Sequence, residues 1–303
     1  MWTILAFISA LCLGFYDISK KIALRNNRVI DVLTLSVCFS SMILFVPLML
    51  SRFMPEMMIA TPFYVPQMDW QGHLYTILKS GIVLSSWICA YVSLKHLPIS
   101  VVSPMQATRP MWTLVGALLI FGERLSPWQW TGVCLAIGTI FLYSFSSRTD
   151  IIRQRATGEG KYYFFLIMAI LIGAGSGLYD KYLMRHYDHN AVQVYYTLYQ
   201  AAMMLVVWGI MNRKRLSRGE TTPHVRHIGM IAMISVFLVI SDNVYMLALQ
   251  DPDSLIAVVS TIRRGGAVIG FAYGLLFLKE KDPIRKILCM IGICAGLVCL
   301  AIG

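Results

Sequence analysis

Ten apolar runs of bilayer length follow one another along this 303-residue chain, near 2–20, 31–50, 72–94, 101–121, 127–146, 161–184, 191–211, 227–249, 254–278 and 283–302. A helix of about 20 apolar residues spans the ~30 Å hydrocarbon layer of a membrane. Composition agrees, because only 14% of residues are charged, whereas a soluble domain carries about 25%. The expected fold is therefore an all-α membrane protein with ten transmembrane helices, multi-pass in a cell membrane of the bacterial inner-membrane kind. The first run starts at Trp2 with no cleavage site after it, and it reads as a retained span. A net charge of +11 could suggest nucleic acid. The basic residues lie instead in short connections between runs, so no nucleic-acid partner is expected.

The halves of the chain repeat each other. Gly14-Phe15-Tyr16-Asp17 recurs as Gly177-Leu178-Tyr179-Asp180, a shift of 163 residues. A shift of 154 then carries His73 to His227, Tyr91 to Tyr245, Pro98 to Pro252, Ser100 to Ser254 and Arg109 to Arg263 without a gap. A longer connection around 61–66 takes up the difference. Residues 1–147 are expected to form one five-helix repeat, 148–160 a linker, and 161–303 the second. An odd number of helices per copy brings the second in from the opposite membrane face. Such inverted repeats are a recurring transporter architecture, with binding near the midplane between the copies. Arg109 and Arg263 are then expected to meet there from opposite sides. Lys and Arg in the connections divide eighteen to four between the two faces, so both termini are expected outside.

Arg109 and the adjacent Arg263 and Arg264 lie roughly nine residues, about 13 Å, inside their runs. An arginine near the membrane centre costs about 2.5–3.5 kcal/mol on insertion scales unless it faces protein or a wet cavity. Its fork of donors matches carboxylate or phosphate, so converging arginines suit an anion. The competing reading neutralises them permanently with Asp17, Asp180 or Asp242. Neighbours on a helix point about 100° apart, so one of Arg263 and Arg264 can bind substrate while the other pairs internally. Lys79 either adds a fourth positive charge or snorkels to the nearer interface. Asp17 and Asp180 are open to two readings, proton coupling or a gate paired with Lys20, Lys21 or Lys181. Asp242 and Asn243, in the middle of the eighth run, are placed to contact substrate or to balance Arg263 or Arg264. Tyr91, Tyr245, Gln106, Ser260 and Trp87 are weaker candidates for lining a cavity. His73 and His227 begin their helices and read as interfacial.

Gly266, Gly270 and Gly274 form a small-residue stripe on the ninth run, and Gly292 with Gly296 form another on the tenth. Spacing of four lets helices approach closely in lipid. Packing within the chain is the favoured use, so a monomer or at most a weak homodimer is expected. All seven cysteines fall inside apolar runs with no CxxC pair and no His at ligand spacing, and they read as packing residues. HExxH, GxSxG and Mg²⁺-diphosphate acid clusters are missing from the sequence. No enzyme activity, metal or cofactor is expected.

Each half carries a Glu just before its last helix, in Phe121-Gly122-Glu123-Arg124-Leu125 and Phe277-Leu278-Lys279-Glu280. With the run Ala90–Pro98 and with Gly14 followed by Lys21, these halves resemble the EamA-type members of the drug/metabolite transporter superfamily. The resemblance covers nearly the whole chain and implies a ten-helix transporter. Plastid-type phosphate translocators of that superfamily hold phosphate with basic residues on helix four and an adjacent Lys-Arg pair on helix nine. Arg109 resembles the former and Arg263–Arg264 the latter, with Arg in place of Lys. The resemblance implies a shared substrate class, without implying a shared substrate. The expected function is secondary transport of a small organic anion, phosphorylated or carboxylate-bearing, by alternating access. The alternatives are export of amino acids or drug-like amphiphiles and, behind it, a lipid-phosphate flippase.

Overall fold

A computed structural model of the chain describes residues 1–24, 27–96, 105–106, 108–145, 160–217, 225–266, 268–269 and 283–302. Regular structure among them is helical throughout: α1 (Trp2–Leu24), α2 (Val29–Phe53), α3 (Pro55–Ile59), α4 (Trp70–His96), α5 (Arg109–Phe121), α6 (Pro127–Phe145), α7 (Gly160–Met184), α8 (His189–Leu216), α9 (Ile228–Gln250), α10 (Ile256–Arg264) and α11 (Pro283–Ile302). Among the described residues α1, α2, α7, α8 and α9 are each long and apolar enough to cross a membrane. Most of the expected linker, together with Pro98, Ser100, Gly270, Gly274, Glu280 and the side chain of Tyr91, lies outside the described residues.

The distribution of polarity is that of a protein solvated by lipid. On α2 the buried face carries Asp31, Thr34, Ser36, Ser40 and Ser51, while Met42, Ile43, Phe45 and Val46 face outward. In water that helix would be turned the other way. Hydrocarbon is as apolar as these outward side chains, so the arrangement costs nothing there, whereas polar groups must find protein partners inside.

Helices from the first 145 residues pack chiefly on helices from the rest: α1 on α9, α4 on α7, α2 on α8, α5 on α7 and α10, and α6 on α11. Glycines let these pairs close. A Cβ on Gly296 would fall 2.8 Å from the Ala136 backbone nitrogen, and one on Gly292 would fall 2.6 Å from Thr139, so the α11 stripe faces α6 of the same chain. Gly266 likewise meets the Ala10 carbonyl of α1.

Two expected spans are interrupted, both at an arginine. The run 254–278 was expected to be one helix, but its α-helix ends at Arg264, where bonds to the fourth preceding carbonyl give way to bonds to the third. The N–H groups of Gly265, Gly266, Val268 and Ile269 reach Ile262, Arg263, Gly265 and Gly266 at 2.8–3.3 Å. Two successive glycines explain the loosening, since each costs about 1 kcal/mol against alanine in a helix. In the run 101–121, α5 starts at Arg109 after a turn in which the Thr108 N–H reaches the Met105 carbonyl at 3.1 Å. Pro110, with no N–H to donate, favours a helix start at this point.

Candidate functional site

The arginines at those two breaks are electrostatic neighbours. Arg109 opens α5 and lays its guanidinium against α7 at Gly173, where a Cβ would overlap Cζ, Nη2 and Nε of the arginine. Its electrostatic neighbours are Arg263 and Arg264 as like charges, with Asp180 and the hydroxyl of Tyr245 on the other side of the balance. Arg264 interacts with Arg263 and, oppositely, with Asp17 of α1. Asp17 in turn feels Lys20. Arg264 and Asp17 are exposed and Arg109 is half-buried. Among the described residues no carboxylate stands within ion-pair distance of Arg109 or Arg264.

The neighbouring cations are paired. Arg263 Nη2 donates to Asp242 Oδ1 at 2.8 Å and to Ser241 Oγ at 3.3 Å. Its Cζ sits 4.0 Å from the centroid of the Tyr245 ring, close enough for a cation–π contribution. Lys79 is buried, bonded to Asp180 and 4.6 Å from the centroid of the Tyr196 ring. Tyr245 donates to the second Asp180 oxygen at 3.4 Å. The web Lys79–Asp180–Tyr245–Arg263–Asp242 therefore joins α4 of the first half to α7, α9 and α10 of the second. Four cations (Lys79, Arg109, Arg263, Arg264) stand near three carboxylates (Asp180, Asp242 and, beside Arg264, Asp17), and the surplus is positive.

Other expected residues are placed differently. Asp180 takes Lys79 as its partner, and the next residue, Lys181, turns to the Ser254 carbonyl and hydroxyl. The Asn243 amide nitrogen donates to Asn190 Oδ1 at 2.9 Å and Gln193 Oε1 at 2.8 Å, which ties α9 to α8. Ser260 bonds back to the Ala257 carbonyl of its own helix at 3.1 Å. Trp87 packs beside Leu33, Leu84 and Met204, while Gln106 is half-buried and Tyr91 lies outside the described side chains. His73 accepts or donates at 2.9 Å with the Tyr199 hydroxyl. Glu123 crosses between the halves to cap α10, accepting from the N–H groups of Ile256 at 2.7 Å and Ala257 at 3.2 Å. Burial pushes the Glu123 carboxyl above the ordinary carboxylate range, while the two N–H groups, Lys181 and Arg185 pull it back. Nothing local in the sequence ties Gly173 to an arginine 64 residues away.

Residues 1–145 match the EamA-like transporter family. The first half of the chain is thus an EamA-like transporter half, which supports placing the chain with the EamA-type members of the drug/metabolite transporter superfamily. A solved structure described as "Crystal structure of protein" superposes on this EamA-type chain with a TM-score of 0.74 at 12% identity, covering 99% of this chain and 96% of its own. At that identity it shows a shared fold alone. No curated protein matches the chain. This is thus a multi-pass membrane transporter by family, with a positive cluster where its two halves meet.

Proposed function

We propose that this EamA-type chain carries a small organic anion, phosphorylated or carboxylate-bearing, by alternating access. The observation that supports this best is the unequal pairing of four neighbouring cations. Arg263 and Lys79 each hold a carboxylate, whereas half-buried Arg109 and exposed Arg264 hold none among the described residues. A fixed guanidinium without a counter-charge in a low-dielectric interior is costly. The cost makes sense when the counter-charge is the cargo itself. Anion binding would neutralise the pair and lower the penalty for closing a dry cavity around it. The start of α5 adds the positive end of a helix dipole beside Arg109.

Residues 1–147 and 161–303 serve as the two inverted five-helix repeats. Support comes from the helix pairing. Exchanging each expected span with its counterpart turns the α1–α9 contact into α4–α7 and leaves the α2–α8, α5–α10 and α6–α11 contacts unchanged. Rocking of one half against the other about this pseudo-twofold axis would expose the arginines to each side in turn. Loosened backbone next to Arg109 and Arg264 supplies the compliant points. Export of amphiphiles with every arginine locked internally is favoured by the Arg263–Asp242 pair, and by that pair alone among the three arginines.

A thermal-shift screen on the purified chain tests the proposal. Inorganic phosphate, glycerol 3-phosphate, malate and succinate are the anionic arm, and neutral amino acids and cationic amphiphiles the other. Stabilisation confined to the anionic arm, and lost in Arg264→Gln, is expected. Stabilisation confined to neutral or cationic compounds would overturn it.

A further inference from the structure

A polar space adjoins the basic cluster at Asp242. It lies between α2, α8 and α9 and is lined by Ser40, Gln193, Tyr196, Thr197, Gln200 and Asp242. All six occupy inner turns of their helices. Most of the wall is fixed by bonds of its own. Gln193 Nε2 donates to the Val239 carbonyl at 2.7 Å while its oxygen accepts from Asn243, and Thr197 donates to the Gln193 carbonyl at 2.8 Å.

Two groups in this wall are not committed. Ser40 Oγ and Gln200 Nε2 are buried and make no hydrogen bond among the described residues. Their residues are only 2% and 3% exposed. Gln200 also reaches the Tyr196 hydroxyl, yet its nitrogen meets no acceptor at bonding geometry. Buried polar groups are normally satisfied. Two unsatisfied ones on separate helices lining one small space therefore point to a guest.

Charge and size define the guest. Asp242 on the wall repels an anion. Arg263 behind Asp242 and Lys79 behind the Tyr196 ring repel a cation. The space suits one group about the size of a water molecule. One neutral hydroxyl matches the available partners: it donates to the Asp242 carboxylate and accepts from Gln200 Nε2 and the Ser40 hydroxyl.

We infer that this cavity is a specificity subsite for an uncharged hydroxyl of the transported anion, which makes the cargo a hydroxylated organic anion such as a hydroxycarboxylate or a polyol phosphate. The inference rests on the anion-transport proposal above, with the anionic end toward Arg109 and Arg264 and the hydroxyl turned toward α2 and α8. A site built to bond a hydroxyl rejects the analogue that lacks it, because its own polar groups are then left unmatched.

Isothermal titration of the purified full chain with two matched pairs tests this: malate against succinate, and glycerol 3-phosphate against propyl phosphate. In whichever pair binds, the hydroxylated member is expected to bind at least about tenfold tighter. Ser40→Ala and Gln200→Leu are each expected to bring the two members close to equality by weakening the hydroxylated one alone. Equal binding of both members by the unaltered chain would remove the subsite and leave the anion site standing. Equal weakening of both members in the two variants would likewise overturn it and assign the cavity a structural water only. Binding of none of the four compounds would remove the subsite and the anion proposal together.

Discussion

The guanidinium of Arg109 lies against the backbone of α7 at Gly173, in space that a single methyl group would occupy. Helix propensity and site geometry therefore oppose each other at this position. In an ordinary helix, Gly→Ala is worth about 0.5–1 kcal/mol in favour of alanine. Here alanine would push the arginine out of register. Gly173→Ala is expected to keep or raise the melting temperature of the purified chain while weakening anion binding by about tenfold, the cost of a misplaced positioning group. A fall in stability with unchanged binding would place Arg109 outside the site.

The adjacent arginines of α10 should respond differently to truncation. Arg263 is bonded to Asp242, and both side chains are mostly buried, at 17% and 20% exposure. Removing one partner of a buried pair strands the other charge, at about 3–5 kcal/mol for a fully buried pair and less for this partly exposed one. Arg263→Ala is expected to lower the melting temperature clearly, and Asp242→Asn in the same chain to restore part of it. Arg264→Ala relieves repulsion with Arg263 and Arg109 and is expected to leave stability unchanged or slightly improved. Chemical-denaturation or thermal midpoints of the three variants decide this.

Lys79 and Asp180 form a cross-half pair with little solvent contact. Either single change, Lys79→Met or Asp180→Leu, leaves a buried charge alone and is expected to destabilise by several kcal/mol. The double change is expected to recover most of that loss, since apolar replacement of a whole buried pair is often neutral. Additive losses in a double-mutant cycle of midpoints would show that the two residues do not act as a pair.

Glu123 reaches from the loop before α6 to the first N–H groups of α10, whose other end carries Arg263 and Arg264. Losing a cap of this kind costs about 0.5–2 kcal/mol. Glu123→Ala is expected to destabilise within that range and to speed hydrogen exchange at Ile256 and Ala257 ahead of the rest of α10. Protection at those two amides equal to that of the unaltered chain would contradict the capping role.

The apolar runs and the depth of the arginines were legible because hydropathy and helix rise are local properties of the chain. The partner of each charge was not. Arg263 and Arg264 are neighbours with the same composition around them, and only the packing of α10 against α9 turns one toward Asp242. Asp180 could be matched on paper to Lys181 beside it, but a helix points adjacent side chains about 100° apart, and Lys79 arrives from α4 on the side where Asp180 faces. The breaks at Arg109-Pro110 and Gly265-Gly266 had plain local signals, but these were overridden by continuous hydropathy across the two runs. Ser40 and Gln200 carried no signal at all, being two of many polar residues in apolar helices and set apart only by a buried Oγ and Nε2 that meet no partner among the described residues.

On the proposed function, Arg109 and Arg264, which have no carboxylate at ion-pair distance among the described residues, are completed by a mobile anion. Counterflow of radiolabelled malate or glycerol 3-phosphate into proteoliposomes holding the purified chain tests that most directly, comparing the unaltered protein with Arg109→Gln and Arg264→Gln at equal reconstitution. The expected result is anion-dependent uptake by the unaltered chain, falling at least about a hundredfold in each variant while thermal midpoints stay close. Undiminished uptake by either variant, or uptake only of neutral or cationic solutes by the unaltered chain, would contradict it.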